Sequence, residues 1–154
     1  MMQRIRSYIF FPAISLLVGG GAALLCRPYF SVYETLNKPV FAPPNWVFPV
    51  VWTILYLLMG IGAARVSQTF SMEKENAILL FAAQLVINFF WPILFFVLQN
   101  YAFACIWLGL LLVMIIAMTV EFYKADRTAA WLQIPYILWS AFAFVLNYFI
   151  SAAN

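Results

Sequence analysis

Apolar residues run along the chain in five stretches, near 8–26, 46–65, 77–98, 101–123 and 130–151, broken only by isolated polar positions. Each is close to the roughly 20 residues a helix needs to cross about 30 Å of hydrocarbon. No Asp, Glu, Lys or Arg falls in the middle of any stretch; Arg65 and Glu121 lie near the ends. The pattern predicts an all-α integral membrane protein, a five-transmembrane-helix bundle forming a single transmembrane domain over residues 1–154. Connections are short except for residues 27–45, where Pro28, Pro39, Pro43 and Pro44 exclude one continuous helix and leave a loop long enough to act as a lid.

Polar positions inside the stretches have helical spacing. Gln84, Asn88, Trp91 and Phe95 recur at i, i+4, i+7 and i+11 on one face of the third span. Two amides facing lipid are costly, so this face points inward, either to hydrogen-bond between helices or to meet the polar edge of a ligand. Trp52, Tyr56 and Met59 share a face of the second span; Trp139, Ala143 and Asn147 share one of the fifth, with the small Ala143 leaving a gap. Such rows commonly serve packing, yet three spans contributing aromatic and amide groups together suit a flat, mainly apolar ligand with few polar edges. Ser15, Gly19 and Ala23 give the first span a small-xxx-small face, for close packing in the bundle or for a homodimer. Pro92 and Pro135, set inside their spans, are expected to kink them.

Composition narrows the chemistry. With 67% hydrophobic and 8% charged residues, too little polar surface exists to coat a soluble globule. The net charge of +3 is scattered at span ends, which argues against nucleic acid as a partner. Histidine is absent, and Cys26 and Cys105 are lone thiols read as core packing, so neither a metal site nor a cofactor is expected. The missing mid-membrane titratable group also disfavours a proton-coupled transporter. Arg4 and Arg6 before an apolar run resemble a secretory signal, but Pro12 within the run and the absence of a clear cleavage site after it point instead to a retained first span. Arg4, Arg6, Arg65, Lys74, Lys124 and Arg127 lie on the N-terminal side, against Arg27 and Lys38 on the other; in a bacterial cell membrane that count places the N-terminus in the cytoplasm.

The stretch from Asn37 to Gly60, NKPVFAPPNWVFPVVWTILYLLMG, resembles the signature of the translocator protein family, also called tryptophan-rich sensory proteins or peripheral-type benzodiazepine receptors. Gln84 to Pro92 (QLVINFFWP) and Pro135 to Tyr148 (PYILWSAFAFVLNY) agree in order and spacing. The resemblance implies a five-helix bundle, commonly dimeric, with a pocket opening toward the loop after the first span. It implies porphyrins such as protoporphyrin IX as ligands, sterols in animal members, and synthetic benzodiazepine or isoquinoline carboxamide compounds. Carried onto this chain, the family's pocket positions are Tyr33, Pro43, Pro44, Trp46, Trp52, Asn88, Trp91, Trp139, Ala143, Leu146 and Asn147. Phe41 stands where members often have Trp, and Trp107 where many have an acidic residue. No basic residue follows Tyr148, which counts against the sterol motif proposed for animal members. The expected function is a receptor-like membrane protein that binds porphyrin, with hydrophobic ligand and membrane lipid as partners. Two alternatives are an enzyme that degrades the bound porphyrin through Trp52 and Trp139, and a carrier or interaction protein.

Overall fold

The computed structural model describes residues 2–154, and every long element in it is a helix. Helix α1 covers Met2–Cys26 and continues through a 3-10 turn, Arg27–Tyr29, into the loop, where a single turn, α2, covers Val32–Thr35. Helices α3 (Val47–Ser67), α4 (Lys74–Pro92) and α5 (Tyr101–Ala125) follow. A short helix α6 (Arg127–Trp131) leads into α7 (Ile134–Ala153). Five segments are long and apolar enough to cross a membrane, as the hydropathy pattern predicts. The helices outrun the apolar stretches, most clearly at the start of α1, because backbone hydrogen bonding continues into flanks too polar for hydrocarbon.

Helix α1 lies chiefly on α3, α4 on α5, and α5 on α7, with α1 also touching α4. Of the small residues on one face of α1, Ser15 and Gly19 pack within this bundle and Ala23 is exposed. Ser15 is fully buried and donates to the Phe11 carbonyl at 2.9 Å, and a Cβ at Gly19 would stand 2.1 Å from the Tyr56 ring. Leu108, Leu111, Ile115, Met118 and Phe122 are fully buried, forming the face of α5 that packs into the bundle. Cys26 and Cys105 are free and buried.

The two inner prolines behave differently from simple kinks. Pro92 ends α4, and the chain widens into a π turn over Ile93–Val97 before reversing at Gln99, which has φ 50°. Without an N–H, Pro92 cannot close the preceding α ladder, and the wider turn absorbs the break. Asn100 then caps α5, its side chain accepting from the Phe103 amide at 3.1 Å. Pro135 sits in the first turn of α7, where the missing N–H costs no helical bond, because the chain has already broken between Trp131 and Ile134.

Each end of the bundle is tied by polar contacts. At the N-terminal face Arg65 meets Asp126 through two hydrogen bonds, 2.9 and 3.3 Å, and Asp126 caps α6 through the Ala129 amide. Burial pushes the Asp126 carboxyl up, but the Ala129 amide and the Arg65 guanidinium outweigh it and hold the group below the usual carboxylate range. At the opposite face Asn37 and Asn154 exchange two hydrogen bonds of 3.0 Å, backbone N–H to side-chain oxygen and side-chain amide to backbone oxygen. The loop and the C-terminal end of α7 therefore share one face.

Candidate functional site

A cavity of about 210 Å³ lies beneath the loop, between α1, α3 and α4. Its floor follows from the sequence pattern. Successive turns of α3 place Phe48, Trp52 and Tyr56 on one side, and α4 supplies Asn88 and Trp91 opposite. Gly19, Ala22 and Ala23 of α1 form the third wall, where the absence of bulk creates the space. Phe30 and Tyr33 of the loop cover the top. Tyr33 is held there by its hydroxyl, which donates to the Pro43 carbonyl at 3.0 Å, and by the Lys38 ammonium, 4.6 Å from its ring centroid.

The rings form a connected group. Trp52 lies 5.7 Å from Tyr56, 6.1 Å from Trp91 and 6.1 Å from Tyr136, centroid to centroid. Polar atoms on the cavity side are few. The Trp52 indole N–H has no protein acceptor among the described residues, whereas that of Trp91 donates to Asn147 Oδ1 at 3.2 Å. Trp52 thus leaves a donor for a ligand, and Asn45 offers an amide oxygen at the rim while its Nδ2 donates to Glu34 at 2.7 Å.

The amides of α4 are largely occupied by neighbouring helices. Tyr56 Oη donates to Asn88 Oδ1 at 3.0 Å, Asn88 Nδ2 donates to Tyr136 Oη at 2.6 Å, and Tyr136 Oη donates to Gln84 Oε1 at 2.7 Å. Gln84 Nε2 ends the chain 3.6 Å from the Met59 sulfur. Asn147 bridges in the same way, accepting from Trp91 and donating to the Tyr101 carbonyl at 2.9 Å. Polar groups in hydrocarbon need internal partners, and these contacts join four spans, α3, α4, α5 and α7, through uncharged groups.

Of the residues singled out in the sequence, Tyr33, Trp52, Tyr56, Asn88 and Trp91 line the cavity together. Phe95, Ala143, Leu146 and Asn147 surround a separate gap of about 20 Å³, whose walls also include Tyr33, Phe48, Trp91 and Phe96. Gln84 is fully buried one turn below the cavity, as the far end of the tyrosine–amide chain. Trp139 packs between Phe48 and Phe142, at 5.9 and 5.2 Å, and its buried N–H has no acceptor among the described residues; it does not line the cavity. Pro43 and Pro44 shape the loop, with the Pro43 carbonyl as the anchor of Tyr33, and Trp46 projects outward, 67% exposed.

Several wall residues escaped the sequence reading. Phe48 stands one turn before Trp52 and so was within reach of the same spacing argument. Tyr136, which shares the face of Ala143 and Asn147, is not a wall residue; it is fully buried behind Trp52, 6.1 Å from that ring. Phe96 was not within reach, since it comes to the wall through the π turn, which shifts the helical register.

Comparison with known proteins gives a consistent picture. The family model described as the TspO/MBR family matches residues 9–153. The chain is 39% identical over 125 residues to "Protein CrtK" of Rhodobacter capsulatus, covering 79% of this chain and 78% of that protein. It is 35% identical over 144 residues to "Tryptophan-rich protein TspO" of Chlorobaculum tepidum, covering 92% and 91%. With the human "Translocator protein" it shares 37% identity over 119 residues, covering 75% and 70%.

Proposed function

The chain belongs to the TspO/MBR family, and from that premise we propose that it binds porphyrins such as protoporphyrin IX, and related flat hydrophobic compounds, in the cavity beneath the loop. One observation carries the reading: a pocket walled by Phe48, Trp52, Tyr56 and Trp91 in which Trp52 keeps a free N–H. Aromatic faces suit a planar macrocycle, and the indole donor suits a polar edge. At about 210 Å³ the cavity is smaller than the roughly 300–1,000 Å³ of most small-molecule sites, so a macrocycle is accommodated by outward movement of the loop residues Phe30 and Tyr33.

A second reading has a specific observation in its favour. Trp52, Trp91, Tyr56 and Tyr136 form a contiguous set of oxidisable rings leading from the cavity into the core. That arrangement suits light- or oxygen-dependent degradation of a bound pigment, with Trp52 as the participant nearest to it.

One titration addresses both readings. Protoporphyrin IX is added to the purified protein, binding is followed by tryptophan quenching, and pigment recovered from lit and dark samples is analysed by mass. Trp52→Phe keeps an aromatic wall and loses one hydrogen bond, so affinity is expected to fall about fivefold, while Trp139→Phe stays within about twofold. No saturable binding by the unmodified protein overturns the porphyrin reading. The enzyme reading expects pigment loss above the free-pigment control that vanishes in Trp52→Phe and persists in Trp139→Phe; equal loss in all samples excludes it.

The same proposal places the protein in a bacterial cell membrane with its N-terminus in the cytoplasm, from the six-to-two distribution of basic residues about the spans. Cys26 and Cys105 are replaced by Ala, and single cysteines are introduced as Met72→Cys or Ala153→Cys. A membrane-impermeant thiol reagent applied to intact cells is expected to label the second and spare the first. The reverse pattern inverts the orientation.

A further inference from the structure

On the outer surface of the bundle, far along the chain from the ligand cavity, a groove of about 380 Å³ runs between α5 and the α6–α7 segment. Its walls are Val120 and Tyr123 of α5, with Ala130, Trp131 and Ile134 opposite; Lys124 stands at the rim. It is graded along the helices. The cationic and aromatic groups cluster where α5 ends and α6 begins, and Val120 and Ile134 lie about one turn deeper in their spans. Trp131 is 68% exposed and Tyr123 half exposed, an arrangement suited to the membrane–water boundary.

The charges at the rim are unequal. Lys124 is paired with Glu121 at 2.6 Å and also feels Glu73, and Arg65 is paired with Asp126. Arg127 has no carboxylate partner among the described residues; its guanidinium lies over the Tyr123 ring, 5.5 Å from the centroid, at the mouth of the groove. A polar head over an apolar slot, with one unneutralised guanidinium at the headgroup level, is complementary to an amphiphile with a phosphate at one end and hydrocarbon at the other.

We propose that this groove is a binding site for an anionic glycerophospholipid, its phosphate held by Arg127 and one acyl chain lying along Val120 and Ile134. Anionic charge is selected because Arg127 is the cation at this groove that has no carboxylate partner among the described residues. A zwitterionic headgroup carries its own ammonium and gains less there.

The test is native mass spectrometry of the full chain, delipidated in detergent, titrated with dioleoylphosphatidylglycerol or dioleoylphosphatidylcholine. The first equivalent of phosphatidylglycerol is expected to bind about fivefold more tightly than phosphatidylcholine, the factor that corresponds to one basic side chain at a membrane surface. Arg127→Gln is expected to remove that preference, and Arg6→Gln, which deletes a cation on the same face away from the groove, to keep it. Val120→Trp fills the slot from the lipid side without entering the core and is expected to weaken both lipids. Preference retained in Arg127→Gln, or lost equally in Arg6→Gln, overturns the assignment of the phosphate. Undiminished first-lipid binding in Val120→Trp overturns the assignment of the tail, and a changed dimer population with lipid binding intact makes this face a contact between copies instead. Protoporphyrin binding is measured on the same samples, so a failure of the cavity reading is seen separately.

Discussion

Gly60→Ala is expected to lower the thermal unfolding midpoint in detergent by about 6–12 °C, equivalent to about 3 kcal/mol for a domain of this size. A Cβ at Gly60 would stand 2.4 Å from the Pro12 Cα, 2.6 Å from its nitrogen and 2.9 Å from the Phe11 carbonyl carbon. All three are backbone atoms of α1, so no side-chain rotation relieves the clash; the helices must separate. The consequence is large because α1 is the least buried span and α3 is its main support. Gly20 supplies the control, since nothing lies within 4 Å of a Cβ there. Gly20→Ala should leave the midpoint unchanged or raise it slightly, alanine being the better helix former. Equal midpoints for the two variants would show that the α1–α3 crossing is looser than its backbone approach implies.

The parts of this architecture legible from sequence are those governed by periodicity. Five spans follow from apolar length, and the inward direction of Gln84, Asn88, Trp91 and Phe95 follows from the cost of an amide in lipid. Periodicity gives the direction of a side chain but not what it meets. Trp52 and Trp139 both face inward; one borders the cavity and the other is packed between phenylalanines, a difference that depends on which rings the neighbouring elements bring against each. The amide spacing likewise left open whether neighbours or a ligand would use those groups. In the structure Tyr56 and Tyr136 on two other spans each bond one end of the Asn88 side chain, which also borders the cavity. The wide turn after Pro92 was hidden for another reason: a π turn changes the register by one residue, and no helical spacing extrapolated through it places Phe96 correctly.

Asn88→Leu should destabilise the bundle by about 1–3 kcal/mol, although the replacement is apolar, similar in size and set in hydrocarbon. The substitution removes the acceptor of the Tyr56 hydroxyl and the donor to the Tyr136 oxygen, while the Tyr136 bond to Gln84 remains. In a soluble core each orphaned group would cost about 1–3 kcal/mol. Interhelical hydrogen bonds in membranes average nearer 0.6 and reach about 1.7 kcal/mol, since separated helices also find partners, and the lower scale governs here. Tyr56 also loses the bond that orients it beside Trp52, so porphyrin affinity is expected to fall with stability. Tyr56→Phe separates the contributions. It deletes the orphaned hydroxyl, so in the Asn88→Leu background it should cost less than in the unmodified protein, recovering about 0.5–1.5 kcal/mol of coupling in a double-mutant cycle. Unfolding midpoints of the four proteins in one detergent measure that coupling. Strictly additive effects would mean that the tyrosine and the asparagine act independently, and an Asn88→Leu variant as stable as the parent would remove the hydrogen-bonded chain from the forces joining these spans.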